Sequence, residues 1–326
     1  MTSDKNQSLL TSAATRSTWR HFRELSVAAA LLIVLAALAV FAPAFYQPQP
    51  LLSLLTREAP ALIVACGMAL VIIARQIDIS VGSQFAVCSV CAGLLAAAKL
   101  PLALVLPASV ALGAAMGAVN GALIAGLRLP SIVVTLATMV TWREALRWLQ
   151  QGAFVNLPDG VQWFGLSQLA GQWTLIVTAL MLLVALAFAT KHLAAGRFVY
   201  AVGSDAEAAR LAGLRPQLTT FGVFVFMGAL TGLAAMLNIV QSPQVDPKSG
   251  TGLELKAIAA VVVGGVAISG GRGNLCGVFA GLLLLACIAP ALTHLHVEAY
   301  WEKAIQGAII LLAVVADGVR NRKQSH

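Results

Sequence analysis

"LPLALVLPASVALGAAMGAVNGALIAGL", from Leu100 to Leu127, contains no charged residue. A helix needs about 20 apolar residues to cross the hydrocarbon core of a bilayer, and this stretch is longer. Gly113, Gly117 and Gly121 recur at every fourth position within it. Small residues at that spacing let helix backbones approach closely, so these glycines read as packing positions. Gly277 and Gly281 repeat the pattern further on. The same character extends outward on both sides. Ser26 to Ala42 is also uncharged, and of all 326 residues 59% are hydrophobic and 10% charged. A soluble chain carries about 25% charged residues, so the composition excludes that class. Alternating strands of about ten residues are absent, which selects helices over a barrel.

The expected fold is all-α, a polytopic membrane protein with about ten transmembrane helices. The spans fall near 26–45, 53–74, 79–98, 101–126, 131–149, 172–190, 217–240, 253–268, 274–291 and 302–316. A polar tail, 1–20, precedes a transmembrane domain, 21–318, and a second tail covers 319–326. Arg16, Arg20 and Arg23 stand before the first apolar run as in a signal peptide. The run is long and many spans follow, so an uncleaved first span is expected.

The net charge of +8 is read as topology rather than as a nucleic-acid surface, because Lys and Arg collect on cytoplasmic loops. With the N-terminus inside, 14 of the 21 basic residues fall in inner segments and 7 in outer ones. Both termini are therefore expected in the cytoplasm. The five cysteines lie in apolar runs. Cys88 and Cys91 form a C-x-x-C without a partner pair nearby in sequence, and small thiols are common helix filler.

No residue pattern supplies an engine. A G-x-x-x-x-G-K-[ST] phosphate loop is missing, and the Gly-rich stretch Gly264 to Gly273 lacks its lysine. Neither a zinc motif nor a nucleophile elbow occurs. The chain is expected to have no catalytic residue, no metal and no cofactor of its own. Charges inside spans are the usual mark of ion coupling, and the candidates are Asp78, Arg143, Glu144, Arg147 and Glu254. Asp78 precedes a helical run. It can cap that helix, or it can be a polar group on a solute path. Glu254, close to Lys256, fits a solvated outer rim, and Arg143 and Glu144 fit the outer interface.

One segment breaks the apolar pattern. "GSDAEAARLAGLRP", Gly203 to Pro216, is charged and begins and ends like a soluble helix. Ser204 and Glu207 have capping-box spacing, and Asp205 adds negative charge in the first turn. Ala206, Ala208 and Ala209 favour helix without bulk. Gly213 suits a left-handed stop, with Pro216 beyond it. The expected helix, Ser204–Ala212, is too short to be stable alone and must pack on something.

Here the residues match a family. Glu207-Ala208-Ala209 followed by Gly213 resembles the E-A-A-x-x-x-G loop of ABC-importer permeases. "IDISVGS" (Ile77–Ser83) is similar to the I-D-L-S-V-G segment of the ribose-type, or carbohydrate-uptake, permeases. "GLELKAIAAVVVGGVAISGGRG" (Gly252–Gly273) and "LPSIVVTLATM" (Leu129–Met139) are similar to further segments of that group. The resemblance spans roughly residues 55 to 315. Two departures stand out. Arg75-Gln76 replace the usual glycine before I-D-L-S-V-G, and Lys256 replaces a usual acid.

The resemblance implies a multi-pass protein of the bacterial inner membrane, the permease subunit of an ATP-driven importer. Its coupling loop, 197–216, would dock on a cytoplasmic ATPase through Ser204, Asp205, Glu207, Ala208, Ala209 and Gly213. A second permease subunit, a copy or a paralogue, would complete the pathway. A periplasmic sugar-binding protein would deliver a pentose, a deoxyhexose or autoinducer-2, and ATP and Mg would be used by the ATPase alone. Asp78, Ser80, Ser83 and Asn120 are the expected polar groups on or near the pathway. The rival reading is an ion-coupled secondary carrier for a small polar solute, with Asp78 as its titratable group.

Overall fold

The computed structural model describes residues 27–294, 298, 301, 303–309, 311 and 315. The two expected tails, Arg16, Arg20 and Arg23, and part of the 302–316 span lie outside the described residues. Among the described residues the fold is helical except for one pair of two-residue strands.

The helices are α1 (Val27–Phe41), α2 (Pro48–Ile73), α3 (Val81–Ala97), α4 (Leu102–Gly121), α5 (Ser131–Gln150), α6 (Gln168–His192), α7 (Ala194–Ser204), α8 (Ala206–Leu211), α9 (Pro216–Ile239), α10 (Leu253–Val263), α11 (Leu275–Ala286) and α12 (Ile288–His294). Five stretches are long and apolar enough to cross a membrane: Pro48–Ile73, Leu102–Gly126, Gln168–His192, Pro216–Ile239 and Leu275–Thr293. α1 and α3 are apolar but shorter. Of the about ten expected spans, five are matched by helices of that length among the described residues. The eighth, 253–268, contracts to the 11 residues of α10 because Gly264 and Gly265 (φ +92°) end it.

α2 is the axis of the bundle. It is apolar on every side, and a helix of that kind belongs in an interior. Every residue from Glu58 to Ile73 is buried, with α6, α7, α9, α10 and α11 packed around it. Pro48 at its first position has no amide to leave unpaired.

α4 and α9 form the closest pair. A Cβ built on Gly113 would overlap the Gly228 carbonyl, one on Gly117 the Phe224 carbonyl, and one on Gly232 the Ser109 carbonyl. Ser109 Oγ also donates to Gly232 O at 2.8 Å. The expected packing role of the α4 glycines is therefore met, and α9 supplies the matching glycines. Gly277 and Gly281 of α11 meet Gly264 and Ala260 in the same way.

α5 and α6 lie on the outside with many large apolar side chains exposed, among them Val133, Trp148, Met181 and Val184. Two strands unforeseen in the sequence, β1 (Val155–Asn156) and β2 (Gln244–Val245), pair antiparallel with Val155 opposite Val245. Gly93 of α3 makes room for them.

Candidate functional site

The bundle is interrupted twice, and both interruptions carry polar residues. The first follows α2. Arg75 adopts φ +63°, Arg75 N donates to Ile72 O and Gln76 N to Val71 O. This is a Schellman stop, a position that favours glycine. Arg75 thus stands where a side chain is disfavoured by about 1–2 kcal/mol. The chain then runs without helical structure through Ile77 to Ile79 into α3. Within a membrane domain, non-helical backbone is tolerated only where it is buried in protein or lines a water-filled cavity.

Asp78, Ser80, Ser83 and Asn120 converge on this interruption, and all four are fully buried. Asp78 Oδ1 accepts from Ser80 N at 2.9 Å and Ser80 Oγ at 2.5 Å. Ser83 Oγ donates to Ser80 O at 2.7 Å. Asn120 Nδ2, reaching from α4, donates to Ser80 Oγ at 2.8 Å. A fifth member went unnoticed in the sequence. Gln84 Nε2 donates to Ser80 Oγ at 2.7 Å and to Asp78 Oδ2 at 3.3 Å. Its position four residues after Ser80 on one helix face was the available signal.

Asp78 gathers donors at the start of α3, as a cap does, although Ser80 holds the N-cap position. Gln84 Oε1 and Asn120 Oδ1 have no hydrogen-bond partner among the described residues. Just beyond Asn120 the helix loosens into a π turn, Ala122–Gly126. Such turns are frequent at functional sites.

The second interruption surrounds α10. Its N-cap is Gly252 (φ +85°), and Arg143 Nη1 of α5 donates to Thr251 Oγ1 at 2.7 Å. Glu254 departs from the expected rim position: Gly82 of α3 lies directly against its carboxylate, and its Oε2 is enclosed. Nor does Glu254 pair with Lys256. Residues two apart on a helix face different ways, and Lys256 turns to α2. Its Nζ lies 2.7 Å from both carboxylate oxygens of Glu58. The Glu58 side chain is 5% exposed and that of Lys256 20%. Glu58 is an intramembrane acid that the sequence survey missed, hidden by the exposed Arg57 beside it. Glu144 and Arg147 pair with each other at 2.8 Å on the surface.

The charged segment 203–216 forms two helices rather than one. Ser204 ends α7, and Asp205 is the N-cap of α8, accepting from Glu207 N at 2.9 Å and Ala208 N at 3.0 Å. The expected Ser204–Glu207 capping box does not form. Asp205 is extended (φ −156°) and caps in its place, while the Ser204 backbone packs on Gly271.

Glu207 instead takes Arg210, with Oε1 to Nη2 at 2.5 Å and Oε2 to Nε at 3.0 Å. The Arg210 guanidinium holds the Glu207 carboxyl below the usual carboxylate range. The glycine stop is as expected. Gly213 has φ +85°, Gly213 N donates to Arg210 O and Leu214 N to Ala209 O, both at 3.0 Å. Ala209 faces its own chain, whereas Glu207, Ala208 and Leu211 face outward, Leu211 at 78% exposure.

Residues 51–314 match the family described as branched-chain amino acid transport system, permease component. The chain belongs to this permease family. Its curated relatives narrow the description. The permease is 33% identical over 300 residues to the ribose import permease protein RbsC of Escherichia coli (strain K12), covering 90% of this chain and 92% of that one. It is 34% identical over 297 residues to the autoinducer 2 import system permease protein LsrC of Enterobacter sp. (strain 638), covering 91% and 87%. RbsC of Haemophilus influenzae is 29% identical over 302 residues. No solved structure matches significantly. Family and apolar helices together make this a multi-pass membrane protein of the ABC sugar-importer permease type.

Proposed function

We propose that this permease is the membrane subunit of an ATP-driven, binding-protein-dependent importer for a monosaccharide or sugar-like solute, in the class of pentoses, deoxyhexoses and autoinducer-2. The observation that carries the reading is α8. It is a capped, glycine-stopped helix that turns Glu207, Ala208 and Leu211 away from the bundle, in a chain whose relatives are import permeases. Its exposed face offers a charged pair beside an apolar anchor, chemistry suited to a groove on a soluble ATPase. On this reading the α8 end faces the cytoplasm of a bacterial inner membrane, with both termini on that side. A second copy or a paralogue completes the pathway. The ATPase binds ATP and Mg, and a periplasmic protein presents the solute.

The polar group of Asp78, Ser80, Ser83, Gln84 and Asn120 is enclosed within one chain. A solute reaches it only if the α2–α3 interruption opens, so in this state the group braces the pathway wall.

Glu207→Arg sets a cation against Arg210 and is expected to release the ATPase and abolish uptake, with membrane insertion intact. Co-purification of the ATPase with the variant, and transport of ribose or autoinducer-2 by vesicles, are the measurements. Wild-type uptake by Glu207→Arg would sink the docking assignment. Uptake by the permease alone, driven by an ion gradient, would favour the secondary carrier.

A further inference from the structure

We propose that motion of α8 enters the bundle through a glycine joint at the end of α7, which clamps that end to both helix interruptions at once. The proposal rests on the reading of α8 as the ATPase-docking helix. α8 has little hold of its own, since Ala209 is its one buried residue. The grip belongs to α7.

Gly203 sits so close to the end of α2 that a Cβ there would overlap the Ile73 carbonyl and lie 2.9 Å from Gly271 N. Those two groups are bonded to each other, Gly271 N donating to Ile73 O at 2.8 Å. Gly270 (φ +82°) lies beneath the Gly203 carbonyl and Arg75, and Gly271 (φ +69°) beneath Ser204. Tyr200 Oη, one turn earlier on α7, donates to Gly273 O at 3.0 Å.

Three segments remote in sequence therefore meet through backbone atoms, with hardly a side chain between them to yield. Close-packed interiors of this kind pass displacement on rather than absorb it. The two receiving segments are the interruptions that bear the polar groups. Arg75 lies just ahead of Asp78. The 267–273 turn, tied by Ala267 N to Arg272 O at 3.0 Å, continues from α10 with its Lys256–Glu58 pair. Movement of α8 is thus delivered to the irregular segments, and not only to α6 and α9, which flank α7 and α8 along the chain.

The test uses the complete complex of permease, ATPase and binding protein in proteoliposomes. Gly203→Ala and Gly271→Ala are expected to keep the ATPase bound and hydrolysing Mg-ATP while uptake of D-ribose and autoinducer-2, the probes used, is lost. Normal uptake by both variants overturns the joint. A wild-type permease that does not bind the ATPase overturns the docking reading instead.

A second measurement needs neither transport nor these variants. With Cys91 and Cys276 replaced by Ser, spin labels are placed on Leu211→Cys paired with Ser269→Cys, or with Leu166→Cys just ahead of α6. All three positions are exposed. The Leu211–Ser269 distance is expected to stay fixed between nucleotide-free and ATP-bound complexes while the Leu211–Leu166 distance changes. A changing Leu211–Ser269 distance, or two fixed distances, refutes the joint.

Discussion

Replacing Lys256 by Met tests the pair that ties α10 to the central helix α2. At 2.7 Å and an effective dielectric of about 20, the attraction is about 6 kcal/mol. Withdrawing two ions from water costs several kcal/mol each. The intact pair is therefore close to break-even, and its absence as a pair should cost little. Loss of one partner is different. Met keeps the length and helix propensity of Lys, but it leaves the Glu58 carboxylate, 5% exposed, desolvated without its cation. Such losses are about 3–5 kcal/mol.

Arg57 Nε lies 3.8 Å from Glu58 Oε1 but is 62% exposed. A screened contact of that kind is worth at most about 1 kcal/mol, which puts the expected loss near 3 kcal/mol. At about 2–4 °C per kcal/mol, thermal unfolding of the purified permease in detergent should fall by about 6–12 °C in Lys256→Met. The double variant Glu58→Leu/Lys256→Met should return to within about 1 kcal/mol of wild type. A double variant as unstable as the single one would refute the reasoning, since packing rather than an orphaned charge would then explain the loss. An unchanged single variant would refute it as well.

Two further perturbations separate sterics from electrostatics. Gly228→Ala forces a Cβ onto the Gly113 carbonyl across the α4–α9 contact and should cost about 1–3 kcal/mol. Gly222→Ala in the same helix meets nothing within 4 Å and should be neutral or stabilising by up to about 1 kcal/mol; paired melting curves decide. The Glu207 carboxyl is held below its ordinary range by Arg210. Its stabilising effect on α8 is therefore present above the unfolded-state pKa and lost as pH falls through the lowered folded value. Amide exchange at Ala208 and Ala209 should rise over that acidic window in wild type and lose this dependence in Glu207→Gln.

What was legible in the sequence follows from which forces act locally. The α4 glycines, the left-handed Gly213 and the apolar runs are statements about one stretch of chain, and each appears where it was expected. Helix ends are less legible, because hydropathy measures length in lipid, whereas α2 and α10 are ended by backbone events: the stop at Arg75 and the glycines after Val263. Those ends are tolerable only because tertiary neighbours satisfy the freed polar groups, and no local window contains the neighbours. Asp78, Ser80 and Asn120 could be nominated singly as polar residues among apolar ones. Their convergence needed α4 beside α3. Lys256 shows the limit most sharply. In sequence its nearest acid is Glu254, two residues away, yet helical geometry turns the two apart and leaves Lys256 to an acid on another helix. Glu58 supplies the negative charge there and the facing position on α10 the positive one.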